Sequence, residues 1–272
     1  PWGGTAVRYG PVSDGKMASD WQAFSMQVTN TQRVNSVLDW LRRPADIRPE
    51  FVTLYFDTID SAGHDGGPDS EEVNRALADI DKHIANLVSG LATLGQPANL
   101  VIVSDHGMAA TGSNKMVVLA DIVDPSLYRL VEGGAYATFE PIAGNTAALE
   151  TALLREHEHM ECWRKAEIPA RYQFGTHKRI PPYFCLPDTG WTITNRASDS
   201  EWSGGNHGYD PYAPEMASLF IAHGPAFRSG TVIDSFQNTA ITPLLRHLIG
   251  LPQAQRADGS LAEVAGALAP QK

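Results

Sequence analysis

Two short apolar runs separated by a helical pattern constrain this chain more than any other feature. "FVTLYF" (51–56) and "NLVIVS" (99–104) are β-branched and aromatic, too short for buried helices, and each ends at an aspartate, Asp57 and Asp105. Between them Val73, Leu77, Ile80, Ile84, Leu87, Val88 and Leu91 recur at steps of three and four, behind Ser70, which can cap the helix. Strand, loop, helix, strand predicts a parallel pair with a right-handed crossover. The fold class that follows is α/β, a mostly parallel central sheet sandwiched between helices.

The rest of the chain extends this pattern. "RVNSVLDWLRRP" (33–44) reads as an amphipathic helix stopped by Pro44, and "NTAALETALLREHEHM" (145–160) as a helix capped by Asn145. "KMVVLADIV" (115–123) and "AYATFEP" (135–141) read as strands or hairpin legs, and "MASLFIAHGPAF" (216–227) contains a further strand. The Pro- and aromatic-rich stretch 168–190 reads as a small irregular subregion, and "TAITPLLRHLIGL" (239–251) as a closing helix. With 272 residues and 43% hydrophobic positions, one large domain over 1–272, or a domain with a subdomain, is expected.

A formal charge of −10 argues against nucleic-acid coating or an anionic membrane surface as partner. Handling phosphate in so acidic a protein requires local positive charge, which bound metal ions can supply. No apolar run approaches the ~20 residues of a membrane span. The opening Pro1-Trp2-Gly3-Gly4, without an initiator Met, predicts a chain trimmed or cut from something longer. Cys162 and Cys185 are too far apart for a CxxC motif, and leave a disulfide and two buried thiols equally open.

The metal-type residues fall at strand ends. Asp60 and His64 sit in the loop after one predicted strand, Asp105 and His106 after the next, and His207 in "SGGNHGYD" before the strand near 216. Ligand sites of open α/β sheets form at that edge. Glycines 204, 205 and 208 would let the backbone approach a centre closely. Two carboxylates and three imidazoles suit zinc, and five ligands fit two adjacent ions better than one. Taken singly, each has a plainer reading: an aspartate at a strand end is often a helix N-cap, and a loop histidine is often only hydrogen-bonded. His157 and His159, on the predicted helical face of "REHEHMEC", match no zincin spacing, and with His83, His177, His223 and His247 are assigned no role.

"LYFDTIDSAGHDGGP" (54–68), "VIVSDHGM" (101–108) and "GGNHGYD" (204–210) closely resemble the metal-binding motifs of nucleotide pyrophosphatase/phosphodiesterases of the alkaline phosphatase superfamily. The likeness covers nearly the whole chain. It implies an alkaline phosphatase-like fold and two Zn2+: Asp60, His64 and His207 on one, Asp105 and His106 on the other. It also implies that Tyr55 stacks on a nucleobase. One departure is visible, Asp57-Thr58-Ile59-Asp60 where the family often has Glu-x-Pro-Asp.

The family's nucleophilic threonine, a nearby asparagine and a further aspartate ligand lie N-terminal to the region that "PWGGTAVRYGPVSDG" (1–15) resembles. Thr5, Thr29 and Thr31 do not sit in the nucleophile's context, so no catalytic residue is identified and the domain is expected to be incomplete at its N-terminus. The implied reaction is zinc-dependent hydrolysis of nucleotide phosphodiester or pyrophosphate bonds, releasing nucleoside 5′-monophosphates through a phospho-threonine. Its partner would be a small-molecule nucleotide or phosphodiester, and the polypeptide alone is expected to be nearly inactive. A phosphomonoesterase or phosphomutase of the same superfamily, and a non-catalytic zinc-binding fragment, are the alternatives. A sulfatase would need Cys-x-Pro-x-Arg, whereas Cys185-Leu186-Pro187-Asp188 is followed by Thr189. The family's setting implies a periplasmic or extracellular location, and tilts Cys162 and Cys185 toward a disulfide.

Overall fold

The computed structural model describes residues 20–255 and 258–270; Thr5 and the stretch 1–15 lie outside them. Among the described residues the helices are α1 (Asn30–Leu41), α2 (Thr58–Gly66), α3 (Glu71–Thr93), α4 (Thr146–Leu153) and α5 (Ile241–Leu248). The strands are β1 (Leu100–Val103), β2 (Ala109–Gly112), β3 (Met116–Val118), β4 (Tyr128–Glu132) and β5 (Ala137–Pro141), then β6 (Met160–Arg164), β7 (Tyr183–Pro187), β8 (Thr192–Thr194), β9 (Ser203–Asn206) and β10 (Phe220–His223). They pack as two compact units. The first holds the described parts of Pro1–Ile59, Arg75–Val103 and Phe220–Lys272; the second is Asp60–Asn74 with Ser104–Leu219.

In the first unit, α1 begins three residues before the predicted run because Thr29 and Gln32 form a capping box, each side chain accepting from the other's backbone N–H. Thr29 is thereby a cap, and the Thr31 hydroxyl meets the His83 ring at 3.1 Å. α1 buries Val34, Val37 and Leu38 and ends before Pro44, which disfavours helix in the residue preceding it. β1 pairs antiparallel with β10, from Leu100 opposite His223 to Val103 opposite Phe220. Val101, Phe220 and Ala222 of that pair cover a core of Phe227, Ala240, Leu244 and Val264, to which α5 contributes.

The expected parallel pairing of 51–56 with 99–104 is not among the described ladders. Residues 51–57 carry no strand assignment among the described residues. The end of that segment is instead tied by Arg33 of α1, whose Nη1 donates to the Tyr55 carbonyl (2.9 Å) and to Asp57 Oδ1 (2.7 Å). The same side chain donates to Val28 O and Ser25 O and lies 5.3 Å over the Phe24 ring.

In the second unit, β4-β5-β7-β6 form an antiparallel sheet, β2 pairs antiparallel with β9, and β3 runs parallel to β8. The core beside the four-stranded sheet gathers Val117, Leu119, Tyr128, Phe139 and Tyr183, and α4 adds Leu149 and Leu153. α3 starts where Ser70 accepts from Val73 N, as its sequence predicts.

Three expectations change here. The predicted helix 145–160 ends at Leu153, where His157 Nε2 meets the Leu153 carbonyl and closes the helix end. His157 and His159 therefore sit beyond the helix, and His159 stacks on Trp191 at 3.6 Å. Asn145 stands at the N-cap but spends its amide on Ser126 O. Within the stretch read as irregular, β7 is buried along its whole length; prolines at 181, 182 and 187 hid a strand that they only bracket. Cys162 and Cys185 face each other across β6 and β7 and are joined by a disulfide.

Two stability predictions follow from these ties. Arg33→Ala leaves Asp57 without its partner in a largely buried setting and is expected to cost about 3–5 kcal/mol in urea unfolding, with Arg33→Lys recovering only part. Reducing the disulfide, or Cys162→Ser with Cys185→Ser, should cost about 3 kcal/mol through the loop it closes. Unchanged unfolding midpoints would contradict either one.

Candidate metal centre

Every metal-type residue singled out in the sequence belongs to the second unit. Asp60 and His64 lie not in a loop but on α2, at positions i and i+4, so both side chains leave the same face. Asp60 is the third residue of that helix, and Asp105 is followed by the strand β2, so neither serves as an N-cap. His207 follows β9 directly, and Asp105 and His106 precede β2; the pairing of β2 with β9 is what brings these two segments to one place.

The convergence is centred on one oxygen. Asp60 Oδ1 has His64 Nε2 at 3.4 Å, His207 Nε2 at 3.6 Å and His106 Nε2 at 3.9 Å. Asp105 Oδ1 lies 3.5 Å from His106 Nε2. Asp60 Oδ1 is buried and has no hydrogen-bond partner among the described residues. A buried carboxylate oxygen ordinarily has a donor. Here the His64, His207 and His106 Nε2 atoms stand around it without bonding to it, a donor set that suits a cation better than a hydrogen bond. Asp60, His64 and His207 each place a ligand atom within 4.8 Å of the other two, in agreement with the first predicted set. His106 stands beside Asp60 as well as Asp105, so the two predicted ligand sets adjoin.

The imidazole chemistry fits a metal. His64 Nδ1 meets the Gly205 carbonyl at 2.9 Å and His106 Nδ1 meets the Gly107 carbonyl at 2.8 Å. A carbonyl can only accept, so both rings donate from Nδ1 and turn Nε2, the atom that ligates, toward Asp60. His106 and His207 stack, centroids 3.4 Å apart. Burial first, then the neighbouring His106, push the His207 imidazole below its ordinary pKa against the pull of Asp60. A neutral ring is the form that ligates.

Backbone contact makes this possible. A Cβ on Gly204 would stand 2.4 Å from the His64 carbonyl, and one on Gly205 equally close to the Gly63 carbonyl. Only glycines let β9 lie directly on α2, as the glycine pattern around His207 predicts. What sequence reasoning missed is the role of the Gly205 and Gly107 carbonyls in orienting the rings, since a backbone oxygen leaves no residue-type signal. Tyr55 belongs to the first unit, where its ring meets Phe24 edge-on at 5.8 Å. Its base-stacking role rests on the resemblance alone.

The sequence profile of the Type I phosphodiesterase / nucleotide pyrophosphatase family matches residues 2–210. The chain belongs to that family, within the alkaline phosphatase superfamily. It is 34% identical to the bis(5′-adenosyl)-triphosphatase of Xenopus laevis over 93% of this chain and 56% of that protein. It is 31% identical to ectonucleotide pyrophosphatase/phosphodiesterase family member 5 of Homo sapiens, over 92% of this chain and 51% of that one. The chain spans about half the length of the curated relatives it matches. The structure of murine ectonucleotide pyrophosphatase/phosphodiesterase 5, an inactive threonine-to-alanine form in complex with AMP, superposes with a TM-score of 0.84 at 30% identity, covering 94% of this chain and 69% of that one. The alkaline phosphatase-like α/β fold expected from the sequence is thereby established.

Gly205→Ala tests the backbone contact. The added methyl must displace either the Gly63 carbonyl or the Met108 side chain, 2.8 Å away. Overpacking of this kind is expected to cost about 1–3 kcal/mol. It should also weaken zinc uptake, measured by competition with a chromophoric chelator, and zinc affinity equal to the parent's would refute this role.

Proposed function

We propose that this chain carries the zinc-binding part of a nucleotide pyrophosphatase/phosphodiesterase that hydrolyses nucleotide phosphodiester or pyrophosphate bonds and releases nucleoside 5′-monophosphates. The observation that carries the reading is Asp60 Oδ1, buried and unbonded, facing three imidazole Nε2 atoms. Asp60, His64 and His207 would hold one zinc, and Asp105 with His106 part of a second. Bound there, zinc supplies a Lewis acid that neutralises phosphoryl oxygens and lowers the pKa of a coordinated hydroxyl. The chain's own residues provide two carboxylates and three imidazoles, two of them, His64 and His106, oriented by the Gly205 and Gly107 carbonyls. The covalent step would use a threonine that is not identified among these 272 residues. The names of the relatives, ectonucleotide pyrophosphatase/phosphodiesterase among them, support the substrate class. The disulfide supports a periplasmic or extracellular location.

The test is zinc-dependent nucleotide binding by the purified chain. Zinc should bind, and be lost in His207→Ala; AMP should bind the zinc-loaded chain and be released by a chelator. Turnover of a nitrophenyl phosphodiester should be near zero. AMP binding that ignores zinc would sink the reading, and robust turnover would sink the assignment of the covalent step to a threonine outside these residues.

A further inference from the structure

The three histidines of the centre are not held alike. The rings of His64 and His106 are each fixed by a hydrogen bond from Nδ1 to a backbone carbonyl. Among the described residues neither ring nitrogen of His207 makes any hydrogen bond, and its own backbone N–H is taken by Asn206 Oδ1 at 2.9 Å. The stack on His106 restrains the ring on one face, but the backbone that carries it, beside a positive-φ Gly208 (φ 96°), needs a hold of its own.

Two anchors follow within three residues. Tyr209 is 3% exposed and packs among Ala109, Ala135 and Met216. Asp210 is gripped from several sides: Arg171 Nη2 donates to Oδ2 at 2.6 Å and Nη1 to Oδ1 at 3.3 Å, the Tyr172 hydroxyl donates to Oδ2 at 3.2 Å, and Tyr212 N donates to Oδ1 at 2.9 Å. Arg171 is fixed in turn, lying 4.2 Å over the Tyr172 ring and 5.6 Å over that of Tyr212, whose hydroxyl donates to the Arg171 carbonyl at 3.0 Å. A planar fork meeting a carboxylate through two bonds and stacked on aromatic faces is rigid in a way that a single contact is not.

We propose that Asp210 and Arg171 are positioning residues for His207: their clamp on the segment 207–212 does for this ring what the Gly205 and Gly107 carbonyls do for the other two. The inference rests on the zinc reading of the centre. The pair is partly exposed, at 25% for Asp210 and 51% for Arg171, so its contribution to global stability is small. Its loss is felt instead where His207 meets the metal, in the range by which outer partners of metal ligands act.

The experiment uses the whole chain and Zn2+ alone, with affinities from chelator competition, the visible spectrum of the Co2+-substituted form, and thermal unfolding of the metal-free form. Asp210→Asn and Arg171→Gln are each expected to weaken zinc binding about 10–100-fold and to alter the Co2+ spectrum, with metal-free unfolding little changed. The double variant should be no weaker than either single, and Arg171→Lys should recover part of the affinity. Zinc affinity and Co2+ spectrum in both single variants matching the parent, while His207→Ala abolishes binding, would overturn the clamp and leave the zinc reading intact. A parent chain whose zinc uptake ignores His207→Ala would overturn the zinc reading, and the clamp with it. Additive losses in the double variant would overturn the pair acting as one unit.

Discussion

The candidate centre depends on two backbones lying against each other. β9 crosses α2 so closely that the His64 and Gly63 carbonyls occupy the places where side chains of residues 204 and 205 would begin. From that contact the rest of the site follows. The Gly205 carbonyl comes within 2.9 Å of the His64 ring and fixes its tautomer. His207, two residues further on, arrives opposite Asp60. β9 also carries β2 as its ladder partner, which places His106 against His207 in a stack. No side-chain interaction in the unit has comparable reach, because a methyl group at either glycine would have to move a strand rather than a rotamer.

A second constraint operates in the other unit, at the place where the chain departs from the family's usual Glu-x-Pro-Asp. Asp57 pairs with Arg33, and the Thr58 hydroxyl accepts from Asn30 Nδ2 at 2.8 Å. Asp57 stands where the family often has Glu and Thr58 at the variable position beside it, and the partners of both lie on α1. The Asp57 departure is therefore matched by a local partner. A guanidinium that bonds three backbone carbonyls and one carboxylate also ties the end of segment 51–57 to α1.

How far these features were legible differs by element, for physical reasons. α1, α3 and α5 announce themselves through apolar periodicity, and Ser70 through its capping chemistry, because those signals are local. Strand pairing is not local: a run as short and apolar as "NLVIVS" does not say which distant segment lies beside it, and its pairing with β10 runs antiparallel where its continuous apolar pattern suggested a parallel neighbour. β7 was hidden because prolines bracket it so tightly that its five buried residues resemble a loop. The ligand residues were legible as types and positions. Their arrangement around Asp60 Oδ1 was not, being set by the β2 and β9 register and by backbone carbonyls. Where Asp60 and His64 were read as a loop, the i, i+4 spacing was the available signal for a helical turn.

The charge of the protein gives the centre its logic. Asp60 and Asp105 bring negative charge to the place where the reading puts a phosphate, and burial disfavours the charged form of the His207 imidazole beside them. In a chain of formal charge −10, such a site repels a nucleotide unless something cationic lies between. Arg171, tied to the His207 loop through its bond to Asp210, is already paired with that carboxylate. On the function proposed above, anion affinity at this centre would be borrowed from bound metal, so metal occupancy and nucleotide binding would form one linked equilibrium, in which each ligand stabilises the site for the other.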